Sequence, residues 1–160
     1  MKIKLNNTLL LVCCALLLTM LCIISVGSPI SFDHQLAERE NAVKTRLIKI
    51  RVAEEKYRAK NGTYTGSFDN LVKSGLLADS LRYIPFTDKK QFSLQATSMT
   101  GKSGQQIPLM ECGATYDQYL QGLDKNSVNN MEEEANSSGR YPGLKIGDLE
   151  TPNNNAGNWE

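Results

Sequence analysis

The sequence has few of the residues on which hydrolytic and metal-dependent chemistry most often depends. It contains one histidine, His34, which is predicted to be a solvated residue in the first turn of a long helix. No second imidazole exists for a Ser/His/Asp or Cys/His arrangement. The usual zinc sites built from clusters of cysteine and histidine are excluded by the same count. We therefore expect a protein that is not an enzyme, with no catalytic residue, cofactor or metal ion.

Cysteine is also placed where it cannot crosslink a folded domain. Cys13, Cys14 and Cys22 lie in an apolar run near the N-terminus, which leaves Cys112 alone in the rest of the chain. A single thiol makes no intramolecular disulfide, so no disulfide framework holds this domain. Cys112 follows the apolar stretch 107–110 and is predicted to be a buried thiol at the end of a strand.

Charge is missing altogether between Leu9 and Val26, a run of about 18 mostly apolar residues that follows Lys2 and Lys4. A bilayer core needs roughly 20 apolar helical residues, whereas the apolar part of a secretory signal needs only about 7–15. The length therefore favours a retained transmembrane anchor that contacts the lipid bilayer through residues 9–26. The lysines before it favour a cytoplasmic N-terminus and an extracytoplasmic C-terminal part.

A second outcome stays open at the end of this run. Ser25-Val26-Gly27 offers small residues of the kind that a signal peptidase prefers. Cleavage after Gly27 would release an exported soluble binding domain instead of an anchored one. About 130 residues follow Gly27, enough for one domain with one modest core.

No excess of either charge marks the chain as a binder of nucleic acid. It carries 18 Lys and Arg against 17 Asp and Glu, a formal net charge of +1. Only residues 38–60 are locally asymmetric, with eight basic residues against four acidic ones. This stretch is predicted to be the solvated face of a helix. We therefore expect no nucleic-acid partner, and no small-molecule substrate can be identified.

Apolar periodicity predicts a long amphipathic helix from about Asp33 to Lys60. Its apolar positions repeat close to a heptad, with Glu40 and Glu54 as interruptions, at Leu36, Val43, Leu47, Ile50 and Tyr57. At roughly 1.5 Å per residue this helix reaches about 40 Å. We expect its N-terminal half to stand clear as a stalk or to meet a partner. Gly27-Ser28-Pro29 is expected to end or kink the preceding span, and Asn61-Gly62 to stop the long helix.

The residues after the long helix predict a small antiparallel sheet and two short helices. Ser67 is expected to cap a helix that carries Phe68 and Leu71. Strands are predicted at 81–86, 91–97 and 107–112. Asp124 is expected to cap a second helix over 126–135. A further edge strand is predicted at Leu144, Ile146 and Leu149.

Two features of the C-terminal half resemble ligand sites but are predicted not to be. Gly101-Lys102-Ser103-Gly104 lacks the upstream glycine of a phosphate-binding loop and lies between strands. The carboxylate pairs Asp117 with Asp124 and Asp148 with Glu150 have no spacing that singles out a calcium site. We expect these carboxylates to be solvated. Trp159 in the Asn-rich tail is expected to dock on the domain.

The predicted long helix ends in the run Ala53-x-x-x-Tyr57-x-x-x-Asn61-Gly62-x-Tyr64, which is followed by Phe68-Asp69-x-Leu71. This stretch resembles the helix-to-loop segment of type IV pilin-like proteins and type II secretion pseudopilins. In that family an N-terminal membrane helix runs into a globular head, where it packs on a small antiparallel sheet. The resemblance implies an α+β, pilin-like fold and a structural or protein-interaction role in an envelope or secretion assembly. It further implies a location in the bacterial inner membrane, with a protein partner or self-association through the long helix.

The whole chain is also similar to a group of single-span bacterial envelope proteins, which brings no known activity. The shared segments are 80–86, 142–147 and 153–160. Together these observations predict four regions. They are an anchor with a short cytoplasmic N-terminus at 1–27, a long helix or stalk at 28–60, a small α+β head at 61–149 and an Asn-rich tail at 150–160.

Overall fold

The computed structural model describes residues 7–160, except for the side chains of Asn7, Leu9 and residues 23–30. In chain order its elements are helix α1 (Asn7–Asn61), helix α2 (Phe68–Lys73), a 3₁₀ helix (Asp79–Arg82), strand β1 (Ser93–Thr100), strand β2 (Gln106–Thr115), helix α3 (Tyr116–Tyr119), helix α4 (Lys125–Ser137) and strand β3 (Gly143–Gly147). The chain separates into two compact units, Met1–Ala37 and Glu38–Glu160. We call the second unit the head. The α+β class and the small antiparallel sheet agree with the prediction.

Helix α1 runs through positions 27–29, so of the two predicted outcomes there the helix end is wrong and the kink stays a prediction. Pro29 removes one backbone donor, yet the helix continues on both sides of it. The predicted stop at Asn61-Gly62 is confirmed. Gly62 has φ of +80°, and its N–H donates to the carbonyl of Arg58 at 2.7 Å, which closes the last turn.

The predicted membrane anchor, residues 9–26, falls in the N-terminal part of α1. Where the structure describes side chains, no helical stretch is both long and apolar enough to cross a bilayer. The predicted anchor includes Leu9 and residues 23–26, whose side chains the structure does not describe. Lys2 and Lys4, which set its predicted orientation, lie outside the described residues. The transmembrane assignment therefore stays a prediction.

The sheet of the head has the order β1-β2-β3, and both pairings are antiparallel. Cys112 on the central strand β2 lies opposite Leu94 on one side and Ile146 on the other. The strand predicted at 91–97 is confirmed from Ser93 onwards as part of β1, and the strand predicted at 107–112 is confirmed as part of β2. The predicted edge strand is confirmed at Leu144 and Ile146, whereas Leu149 lies beyond β3.

The strand predicted at 81–86 is wrong. Residues 79–82 form a 3₁₀ helix, and Tyr83 makes only an isolated bridge to Gln91. Pro85 has no N–H to donate, which disfavours a continuous ladder at this point. The segment is held instead by two bonds to the returning chain, from Ile84 N to the Lys90 carbonyl and from Phe92 N to the Arg82 carbonyl.

One face of α1 forms the centre of the head's core. Val43, Leu47 and Ile50 are completely buried, so the predicted seam is confirmed at these positions. Leu36 and Tyr57 are half-buried. The expectation that the N-terminal half of the long helix stands clear is wrong at Val43. Phe68 and Leu71 of α2 are also buried, as predicted for the residues that close the core.

Three arginines of α1 hold three separate loops of the head. Arg39 donates to the carbonyls of Tyr119 and Gln121 at 3.0 and 2.8 Å. Arg46 donates to the carbonyl of Tyr83, and Arg51 to the carbonyl of Asn155 at 3.2 Å. The prediction that this basic stretch is merely solvated is therefore wrong for these side chains. A hydrogen bond from a charged donor contributes about 1.5–3 kcal/mol when it is shielded from water.

The tail docks on β3, as predicted. Gly157 forms an isolated bridge with Ile146, and the N–H of Asn158 donates to the carbonyl of Lys145 at 3.0 Å. Asn155 is buried and its side-chain amide donates to the hydroxyl of Tyr64 at 2.7 Å. Trp159 is half-buried. The tail is therefore part of the head.

Placing a charge at either end of the buried seam should unfold the head. We expect Ile50→Asp and Val43→Asp each to reduce the free energy of unfolding by more than about 3 kcal/mol, because both would bury an unpaired carboxylate. Ile48→Asp is the matched control, since Ile48 lies on the exposed side of the same helix with 39% of its surface accessible. Urea unfolding of the full chain measures all three. A Val43→Asp variant as stable as Ile48→Asp would contradict this packing.

Candidate functional site

Glu54 is a completely buried carboxylate on α1. Its Oε2 accepts a hydrogen bond from the N–H of Thr65 at 2.9 Å, and its Oε1 accepts one from Gly66 at 3.1 Å. Burial raises the pKa of Glu54, and the two backbone hydrogen bonds lower it in part. The sequence presented this residue only as an interruption of the apolar seam. Its structural role is to accept hydrogen bonds from two backbone N–H groups of the loop that follows α1.

The loop held by Glu54 lies close against the sheet. A Cβ on Gly66 would lie 2.7 Å from the backbone nitrogen of Ala96 in β1, and Gly66 has φ of +57°. Glycine is therefore required there both for space and for conformation. Cys112 is buried nearby, as predicted, although it lies within β2 and not at its end. Burial, followed by the charges of Glu54 and Glu111, holds the pKa of Cys112 well above its ordinary value, which disfavours the thiolate form.

A cleft in the head has a volume of about 380 Å³. It lies between α1, the region around α3 and α4, strand β3 and the tail. Its walls are aromatic and charged, with smaller contributions from Ala135, Gly143, Leu144 and Asn158. The aromatic and charged side chains are those of Glu40, Lys44, Tyr116, Arg140, Tyr141, Lys145 and Trp159. We call this the head cleft.

Two ammonium groups of the head cleft lie over aromatic rings. Lys44 Nζ lies 6.0 Å from the ring centroid of Trp159, and Lys145 Nζ lies 5.6 Å from that of Tyr141. Both distances are within the range of a cation–π contact. Gly157 makes room for the tryptophan, because a Cβ at this position would lie 2.7 Å from the ring.

Each basic group of the head cleft has a carboxylate partner. Lys44 pairs with Glu40 at 2.9 Å. Lys145 pairs with Glu111 at 2.7 Å and with Asp148 at 3.3 Å. Burial lowers the pKa of Lys145, but these two carboxylates raise it by more, so the ammonium stays charged. Arg140 forms an exposed pair with Glu134 at 2.9 Å. The head cleft therefore carries little unbalanced charge.

A buried hydroxyl without a partner lies beside the head cleft. Tyr119 is completely buried, and within residues 7–160 its hydroxyl has no hydrogen-bond partner. Its ring centroid lies 6.0 Å from that of Tyr116. Burial raises the pKa of Tyr119 strongly, and the neighbouring groups Glu40, Tyr116 and Tyr141 raise it further. These three neighbours all line the head cleft. Burial likewise raises the pKa of Tyr141 to about 12.

Two of the carboxylates considered as calcium ligands, those of Asp124 and Asp148, accept backbone hydrogen bonds. The side chain of Asp124 accepts from the N–H of Ser127 at 2.8 Å and begins α4, as predicted for a helix cap. Asp148 accepts from the N–H groups of Glu150 and Thr151 at 2.8 and 2.9 Å. In the part of the chain that the structure describes, no three His, Cys, Asp or Glu side chains come together as a metal site. His34 is exposed on α1, and residues 101–104 form the turn between β1 and β2.

The sequence did not predict the head cleft. Its walls come from α1 near residue 40, from α3 near residue 116 and from residues 140–159. These segments are far apart in the sequence, so no local motif predicts that they meet. The one available clue was that the last third of the chain holds three of the six tyrosines and the single tryptophan.

Comparisons of the chain with protein-family models, with curated proteins and with solved structures find no match. The resemblance to pilin-like proteins therefore stays a prediction.

Replacing Glu54 should reveal its role in the loop. The side chain of Glu54→Gln has one carbonyl oxygen for two backbone donors, and its NH₂ group would face the second backbone N–H. We therefore expect the free energy of unfolding to fall by about 1–3 kcal/mol. Because the folded state raises the pKa of Glu54, the native state binds a proton more readily than the unfolded state. The wild type therefore loses stability relative to Glu54→Gln as the pH rises from about 4.5 through the raised pKa.

The measurement is urea unfolding of both proteins between pH 4 and pH 7, with the exposed neighbour variant Glu55→Gln as control. The deficit of Glu54→Gln should be largest at the acid end and should shrink towards neutrality. A deficit that grows with pH would contradict the assignment of burial as the dominant cause.

Two tyrosine-to-phenylalanine variants should have opposite effects. Tyr119→Phe removes a buried hydroxyl that has no partner, so stability should stay equal or rise by about 1 kcal/mol. Tyr64→Phe removes a hydroxyl that accepts from Arg58 at 3.0 Å and from Asn155 at 2.7 Å, so stability should fall by about 1–2 kcal/mol. Thermal unfolding of the full chain compares them. Equal losses in both variants would show that the Tyr119 hydroxyl is satisfied.

Proposed function

We propose that this chain is a membrane-anchored, extracytoplasmic, pilin-like protein with a structural or protein-interaction role in an envelope or secretion assembly of the bacterial inner membrane. One observation carries the proposal. The same helix, α1, contains the uncharged apolar run at 9–26 and the seam around which the head is built.

The exposure of the apolar run supports an anchor. Several of its large side chains have more than 60% of their surface accessible, namely those of Leu11, Leu16, Leu17, Leu18 and Met20. A contiguous apolar surface of this kind is unfavourable in water and normally marks a contact with lipid or protein. An uncharged run of this length suits a bilayer core.

A second exposed apolar patch supports a protein contact through the long helix. Ile48 and Val52 are four residues apart on α1, so they lie on one face, with 39% and 41% of their surfaces accessible. This face is opposite to the one that enters the core through Leu47 and Ile50. Within the head, Ile48 and Val52 are the large apolar side chains of α1 that remain exposed.

The buried ionisable groups support a non-catalytic role. The carboxylate of Glu54 accepts two backbone hydrogen bonds. Burial keeps the thiol of Cys112 protonated. Both groups are used by the core of the head and lie outside the lining of the head cleft.

Fractionation of cells that express the full chain tests the anchor. We expect the protein to remain with the membrane after a carbonate wash, with an intact mass that includes residues 1–27. Leu17→Asp should release it or prevent insertion, whereas Ile48→Asp should leave it membrane-bound. A soluble protein that begins at Ser28 would overturn the anchor and support an exported soluble binding domain released after Gly27.

Site-specific photo-crosslinking tests the interaction face in the same cells. A crosslinking residue at Ile48 should give a discrete adduct, identified by mass spectrometry as a second copy or as another envelope protein. The same residue at Gln121, an exposed position outside α1, is the control. Equal labelling at both positions would contradict a role for the long helix.

A further inference from the structure

We propose that the head cleft binds an uncharged, hydroxyl-rich ring, a carbohydrate unit, between the aromatic rings of Tyr116, Tyr141 and Trp159. The inference is independent of the proposed membrane role, because every residue that lines the cleft belongs to the unit Glu38–Glu160.

The size of the head cleft suits one small ligand. Its volume of about 380 Å³ is near the lower end of the range for small-molecule sites, about 300–1,000 Å³. The main elements of its walls are held together by hydrogen bonds. Strand β3 is paired to β2, and the tail is bonded to β3 through Asn158 and Lys145. The cleft is therefore formed before a ligand arrives.

The charges of the head cleft disfavour an ionic ligand. Lys44 and Lys145 already contact carboxylates at 2.9 and 2.7 Å. An anion such as phosphate would have to displace these carboxylates, and a cation would meet the ammonium groups. The ion pair of Arg140 with Glu134 is the most accessible of these pairs, with 64% and 77% of the two side chains exposed. One such group supplies little binding energy in water.

The remaining polar atoms suit hydroxyl groups. Lys44 donates one hydrogen bond to Oε2 of Glu40. Among the described residues, this leaves Oε1 of Glu40 as an acceptor and two protons of the Lys44 ammonium as donors. The phenol groups of Tyr116 and Tyr141 both donate and accept. A hydroxyl also does both, so a ring that carries several hydroxyls can pair with this mixture, whereas a purely apolar ligand would leave it unpaired.

The aromatic rings suit the apolar face of a sugar ring. A tyrosine or tryptophan offers a large flat apolar surface with a polar edge. In the head cleft, three such rings lie beside the donors and acceptors described above. The ammonium groups of Lys44 and Lys145 lie 6.0 and 5.6 Å from the ring centroids of Trp159 and Tyr141, so a sugar ring that stacks there has to move these flexible side chains aside. Stacking on a ring together with hydrogen bonds at its edge is the pattern that a cyclic polyhydroxyl compound requires.

The fluorescence of Trp159, the single tryptophan of the chain, provides the test. The full chain would be purified in a zwitterionic detergent that has no sugar headgroup, then titrated with cellobiose, maltose and diacetylchitobiose. Sodium phosphate and a tetraglutamate peptide are the charged comparators. We expect a saturable change with at least one disaccharide, with half-saturation at about 1 mM or below, and none with either anion.

Two variants connect the binding to the head cleft. Glu40→Gln should weaken the disaccharide by about tenfold or more, because a hydrogen bond to a charged acceptor is lost. Glu38→Gln, an exposed residue on the same helix, should bind as the wild type does. If Glu40→Gln fails to fold, Tyr116→Phe replaces it and should weaken binding in the same direction.

Three results would overturn the proposal. They are no saturable change with any of the three disaccharides up to about 50 mM, equal binding by the Glu40 and Glu38 variants, or a response to phosphate or to the acidic peptide in preference to the sugars. None of these depends on whether the full chain resides in a membrane, so the proposal can fail while the membrane role stands.

Discussion

The burial of one face of α1 in the core of the head is the constraint on which the head depends. Val43, Leu47 and Ile50 leave no accessible surface, and the arginines on the flanks of the same helix hold loops that are far apart in sequence. The helix is thus both a core element and the scaffold for irregular segments. This arrangement explains how a sheet of only three strands supports a domain with long connections.

The carboxylate of Glu54 illustrates the cost of folding the chain back beside a long helix. The chain must turn back over the sheet, and the N–H groups of Thr65 and Gly66 would otherwise be buried without acceptors. One buried acid with two oxygens satisfies both. Its raised pKa reflects the unfavourable desolvation that accompanies this solution. A polar residue in an apolar seam can therefore stabilise the fold.

The head cleft forms where the tail returns to the scaffold helix. The backbone of Asn158 binds β3, and this places the ring of Trp159 opposite Lys44. The charged groups pair with one another, so the aromatic faces and the hydroxyls dominate the chemistry of the cleft. The exposed pair Ile48 and Val52 lies on another part of the same helix. The head therefore offers two surfaces of different chemistry, one polar and aromatic, the other apolar.

The sequence alone determined the features that follow from local periodicity and local hydrogen bonding. These include the buried face of α1, its end at Asn61-Gly62, the cap at Asp124 and the strands β1 and β2. Each depends on neighbours within one or two turns or on alternation along a strand. Tertiary structure decided the rest. The segment around Pro85 lies outside the sheet, and Glu54 accepts its hydrogen bonds from the loop after α1. The head cleft is formed by residues near positions 40 and 116 and within 140–159. Such features depend on groups that meet only after folding, and no spacing along the chain encodes them.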